Sequence, residues 1–121
     1  MRALFITTMS NDTDNHIAAW NSVNDIPADR LQFRSVRGEV RNDFQTIESA
    51  KALNPDVVFY IGPFKASGCP HWSAFAAIKE FSPVINIVSD SVDEPWHQPV
   101  IDFKEYGAFT LQVSIDGRTP A

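Results

Sequence analysis

Five short runs rich in β-branched and aromatic residues punctuate the chain: Ala3–Thr8, Leu31–Val36, Val57–Ile61, Val84–Val88 and Thr110–Ile115. Runs of this length and make-up predict strands. The segments between them are each long enough for a helix. Such alternation predicts right-handed crossovers and a parallel sheet covered on both faces. The third run, Val-Val-Phe-Tyr-Ile, is apolar throughout, as an interior strand must be. Val57, Val58, Phe59, Ile85 and Ile87 are therefore expected in the core.

Periodicity and punctuation place the helices. The spacing of Ile17, Trp20 and Val23 predicts a first helix over about Asn15–Val23, with Asp12 or Asp14 as its cap. Asn42 followed three residues later by Gln45 resembles a capping box. Phe44, Ile47 and Ala50 then share a face before Asn54-Pro55 stops the helix. A third helix is expected over Trp72–Phe81, ended by Ser82-Pro83. A fourth is expected from Pro95 toward Tyr106, before Gly107.

The fold class that follows is α/β: a three-layer sandwich on a five-stranded parallel sheet, Rossmann-like or flavodoxin-like, formed by one domain over residues 1–121. That length suits a single core, since compact domains hold about 100–150 residues. The pattern stops after its fifth strand, and the closing helix that would cover that strand is missing. Cover is expected either from a homodimer partner or from the rest of a longer protein whose N-terminal part this is. The second is the expectation carried forward.

Composition narrows the partners. Fifteen acidic against ten basic residues give a formal charge of −5, so no attraction to a nucleic-acid backbone is expected. One cysteine, Cys69, cannot form an internal disulfide or a thiolate cage, which suits a reducing cytoplasm. No apolar run reaches the roughly 18 residues of a membrane span.

Chemistry in an open parallel sheet collects beyond the carboxyl ends of the strands, where helix N-termini converge. The segment after the first strand includes Ser10, Asn11 and His16 but no glycine, so it lacks both the dinucleotide fingerprint and the P-loop. These residues can contact a ligand or serve as turn and cap residues. After the third strand comes a long connection with Gly62, Lys65, Cys69, His71 and Trp72. Gly62 permits close backbone approach, Lys65 can hold an anionic group, and His71-Trp72 can present a ring platform. Equally, this is a surface loop whose tryptophan folds back onto the core. Cys69 reads as a packed thiol, with no paired base identifiable.

The most distinctive stretch is Ser89-Asp90-Ser91-Val92-Asp93-Glu94-Pro95-Trp96. Its three carboxylates can bind a cation, accept from sugar hydroxyls, or hold a proton as a general acid. Asp93 and Glu94 also suit a helix cap and first turn. Asp90 is thus the leading candidate, with Asp93 and Trp96 beside it. No resident metal or cofactor is expected, and no catalytic residue is assigned. A phosphoacceptor receiver domain has the same alternation, but it needs acids after the first strand, an Asp ending the third and a Lys ending the fifth. Those places hold Thr7-Thr8, Ile61-Gly62 and Ile115-Asp116.

Three segments in order, Asn54-Pro55-Asp56-Val57-Val58, then Asp90 through Asp93 to Trp96, then Val113-Ser114-Ile115-Asp116-Gly117, give the chain a further likeness. It resembles the N-terminal Rossmann-like domain of GT-B-type glycosyltransferases, closely over about forty residues and loosely over the whole. The resemblance implies an acceptor-side domain facing a C-terminal nucleotide-sugar-binding domain across a cleft. It implies a small-molecule or glycan acceptor, and no sugar transfer by this chain alone. The alternative is a free-standing small-ligand-binding or dimerising module without catalysis.

Overall fold

The computed structural model describes residues 1–7, 11–32, 42–61, 69–88, 102–103 and 105–114. In chain order these form β1 (Ala3–Thr7), α1 (Asn11–Val23), β2 (Asp29–Gln32), α2 (Asp43–Leu53), β3 (Val57–Ile61), α3 (Trp72–Lys79), β4 (Val84–Val88) and β5 (Leu111–Ser114). The strands make one five-stranded sheet in the order β2-β1-β3-β4-β5. Every neighbouring pair is parallel. The α/β, Rossmann-like expectation therefore holds.

Alternation along the strands divides the core into two layers. On one face Leu4, Ile6, Val58, Tyr60 and Val84 meet Ala50 of α2, Phe75 and Ile78 of α3, and Ala108 and Phe109. On the other, Ala3, Phe5, Val57 and Ile61 meet Ile17 and Trp20 of α1, with Phe59, Ile85 and Ile87 packed alongside. Phe59 is held there by two rings, stacked on Phe5 at 4.9 Å and edge-on to Trp20 at 5.4 Å. The Trp20 indole N–H is buried without a hydrogen-bond partner.

The second helix forms as its signals dictate. Asn42 Oδ1 accepts from the Gln45 backbone N–H at 3.0 Å, and its own amide reaches Gln45 Oε1 at 3.2 Å. A cap of this kind contributes about 0.5–2 kcal/mol. Asn54 closes the helix at φ +48, the left-handed conformation that asparagine tolerates better than most residues. A similar closure precedes β5, where Gly107 at φ +79 lets the Ala108 N–H reach back to the Phe103 carbonyl at 3.0 Å.

Several boundaries differ from expectation. Helix α1 begins at Asn11, not Asn15, so Asp12 and Asp14, expected as caps, lie within the helix itself. Asp14 also pairs with Arg30. Strand β2 begins at Asp29, two residues before the expected Leu31. Its charged start is accommodated at a sheet edge by that pair and by Arg2–Asp29 at 3.0 Å. Helix α3 stops at Lys79 because the Phe81 and Ser82 N–H groups both turn back to Ile78. Residues 33–36 of the expected second strand and most of the expected fourth helix lie outside the described residues. Of the five expected core residues, Val57 and Val58 are buried, while Phe59, Ile85 and Ile87 are only half-buried. All three half-buried residues lie on the face that carries α1 alone among the described helices.

Candidate functional site at the carboxyl edge of the sheet

The strand order fixes where a ligand crevice can open. From β1 the chain crosses to β2 on one side, whereas β3, β4 and β5 add successively on the other, so the order reverses between β1 and β3. Crossovers that leave neighbouring strands in opposite directions part at this point, and ligands of open α/β sheets settle there. The register sets Thr7 at the end of β1 opposite Ile61 at the end of β3. Both are buried.

The expected site residues attach to this edge by their chain positions. Asn11 opens α1 four residues after Thr7, with the helix N-terminus, the positive end of its dipole, following β1 directly. His16 lies half-buried in the second turn. Ser10, Gly62, Lys65, Asp90, Asp93 and Trp96 lie outside the described residues. Ser10 follows β1, Gly62 and Lys65 follow β3, and Asp90, Asp93 and Trp96 follow β4. Three connections thus leave three adjacent strands, β1, β3 and β4, at the same end. No cluster of three metal-ligating side chains occurs among the described residues, and no helix among them is long and apolar enough to cross a membrane.

The far end of the long connection after β3 is described, and its geometry is mainly structural. His71 caps α3, its Nδ1 accepting from the Ser73 backbone N–H at 3.3 Å and lying 2.7 Å from Ser73 Oγ. Because Nδ1 accepts this bond, the ring's own N–H sits on Nε2. A serine this close to a histidine is the contact a nucleophile needs. Here, however, the nitrogen is committed to the cap, and Asp43 accepts from the His71 backbone N–H at 3.2 Å instead of orienting the ring. The arrangement closes a helix end and docks it to the start of α2. Trp72 is half-buried, packs against the core and stacks on Tyr106 at 5.0 Å, with His71 at 5.2 Å on the ring system. The tryptophan folds back onto the core, as the second of its two readings expects, and its ring contacts there are with Tyr106 and His71.

Cys69 is buried, as a packed thiol should be, with Sγ 3.1 Å from the Tyr60 hydroxyl. Burial above all, and then the neighbouring thiol, push the Tyr60 phenol well above its ordinary pKa, so it stays neutral inside the domain. Beside it runs a row of buried amides that the strand pattern did not single out. Asn86 Nδ2 donates to the Tyr60 carbonyl at 3.2 Å, and Gln112 Nε2 donates to Asn86 Oδ1 at 2.9 Å. The signal was present as a lone polar residue at the centre of Val-Ile-Asn-Ile-Val. No family model, curated protein or solved structure matches the chain.

Proposed function

We propose that this chain is the acceptor-side domain of a glycosyltransferase-like protein, binding a small polar acceptor such as a sugar in the crevice beyond β1, β3 and β4. Sugar transfer then needs a second domain that holds the nucleotide-sugar donor. The observation that carries the ligand-binding half of this reading is the reversal of strand order between β1 and β3. The sugar class is supported by the likeness of the three sequence segments described above. It is supported also by the chemistry expected of the β4 connection, where carboxylates accept from hydroxyls and Trp96 offers an apolar ring face. Asp90 comes first among these residues because it directly follows the strand and Ser89, ahead of any helix cap.

The test is calorimetric titration with glucose and with uridine diphosphate glucose, on the parent chain and on Asp90→Asn. The reading expects Asp90→Asn to weaken binding at least several-fold while leaving the thermal midpoint nearly unchanged. It expects no sustained sugar transfer by the 121-residue chain alone. Equal binding by both proteins rejects Asp90 as a ligand residue. Turnover by the isolated chain rejects the need for a second domain. Binding in the crevice without transfer, even when a donor domain is supplied, supports the alternative of a free-standing ligand-binding module.

A further inference from the structure

The start of α3 is held by a side chain of a kind that changes charge near neutral pH. Helix N-caps are ordinarily Ser, Thr, Asp or Asn, whose side-chain oxygen accepts from a free N–H of the first turn. Helix α3 uses His71 instead. Its Nδ1 accepts from the Ser73 backbone N–H at 3.3 Å and lies 2.7 Å from Ser73 Oγ. Both residues reach solvent, His71 half-buried and Ser73 exposed. An imidazole nitrogen accepts only while it carries no proton, and histidine is the side chain whose charge ordinarily changes between about pH 5 and 8.

A proton taken from solvent by Nδ1 turns that atom from acceptor into donor, and its two contacts with Ser73 respond differently. The hydroxyl can donate or accept, so the 2.7 Å contact survives with its direction reversed. The backbone N–H can only donate, so the 3.3 Å bond is lost and two N–H groups face each other. The new positive charge also stands at the positive end of the helix dipole. Titratable groups meet this corner from three elements. From α2, Asp43 Oδ1 accepts from the His71 backbone N–H at 3.2 Å, so it supplies counter-charge without replacing the lost acceptor. The Cys69 thiol is engaged with the Tyr60 hydroxyl of β3 at 3.1 Å. From the segment before β5, Tyr106 stacks on Trp72 at 5.0 Å.

The turn that this bond closes belongs to the carboxyl edge of the sheet. Helix α3 follows β3, and a crossover helix begins near the carboxyl end of the strand before it. Trp72, the first residue of α3, packs against the core with the His71 ring 5.2 Å away. We propose that His71 makes the first turn of α3 a proton-operated latch at this edge, closed while its ring is neutral and released when the ring is charged. In the closed state the Ser73 N–H is capped and Trp72 rests on Tyr106. In the released state that N–H passes to water and the first turn loosens, while β3, α2 and the rest of α3 keep their places. The latch is independent of which ligand the crevice takes, and it makes this end of the domain responsive to mild acid.

Nuclear magnetic resonance of the isotope-labelled 121-residue chain between about pH 8 and about pH 5 tests this. His71→Asn is the control, since asparagine caps well and does not titrate. In the parent, the Ser73 amide is expected to move upfield and to acquire the steeper temperature coefficient of a water-exposed amide, with the same midpoint as the His71 ring carbons. The Ala74 amide, which donates to the His71 carbonyl at 2.9 Å, is expected to follow it. In His71→Asn both amides keep the coefficients of hydrogen-bonded groups throughout. A Ser73 temperature coefficient that stays constant while the His71 ring titrates overturns the proposal, because a shift alone is what any nearby charge produces. So does a coefficient that changes with pH equally in His71→Asn, since that assigns the effect to another group.

Discussion

Replacing Phe75 by alanine is expected to destabilise the domain by about 3–5 kcal/mol, the range for emptying a large aromatic site in a closed core. Phe75 is fully buried on α3. It touches three other rings: Tyr60 at 4.6 Å, Phe109 at 5.4 Å and Phe103 at 6.1 Å. Those rings come from β3, from the approach to β5 and from the segment before Gly107, so the cavity would open where three elements converge. Collapse around it is hindered because Tyr60 is tied to Cys69 through its hydroxyl. Urea denaturation of parent and variant measures the difference. A loss below about 1.5 kcal/mol, the usual ceiling for volume-conserving core changes, would mean that this ring cluster is not the packed centre of the domain.

Asn86→Leu is expected to cost about 1–3 kcal/mol even though it makes the strand more apolar. Asn86 is completely buried and links β3 to β5, donating to the Tyr60 carbonyl and accepting from Gln112 Nε2. Leucine removes both hydrogen bonds that tie Asn86 to β3 and β5, and breaking a buried hydrogen-bonded link from one side costs more than the link itself contributes. Replacing both amides removes donor and acceptor together. The double variant Asn86→Leu/Gln112→Leu should therefore be less destabilised than the sum of the single changes, with a coupling of about 1 kcal/mol. Strict additivity in a urea-denaturation cycle would show that the two amides do not act as a pair.

The legibility of this fold tracks the range of the forces involved. Strand β3 was recognisable because an unbroken apolar run has few alternatives. Helix α2 was recognisable because Asn42, Gln45 and Asn54 act within a few residues of themselves. Strand β2 was displaced because its position is set by pairing with β1 and by Arg2 and Arg30, contacts 16 to 27 residues away in sequence. The start of α1 was set too late because the polar stretch before Asn15 has no apolar period, yet its acids suit a first helical turn. Asn86 was hidden inside an apolar run because its role depends on Gln112, 26 positions later. The half-burial of Ile85 and Ile87 reflects which sheet face receives a helix, a property of topology that local pattern does not contain. For the proposed ligand site, the candidate residues were chosen by the connections they lie on; that those after β1, β3 and β4 share one end follows from the parallel pairing of these strands.

Backbone chemical-shift mapping tests the carboxyl-edge site most directly, by titrating the isotope-labelled chain with glucose and with uridine diphosphate glucose. The expected result is that the amides of Thr7, Ile61 and Val88, at the carboxyl ends of β1, β3 and β4, move on titration, together with those of Asn11 and Asp90. The amides of Asp29, Asp56 and Val84, at or next to the opposite ends of their strands, should remain still. Shifts confined to that opposite end, or to the outer surface of α2, would place the ligand away from the reversal of strand order and contradict the proposed site.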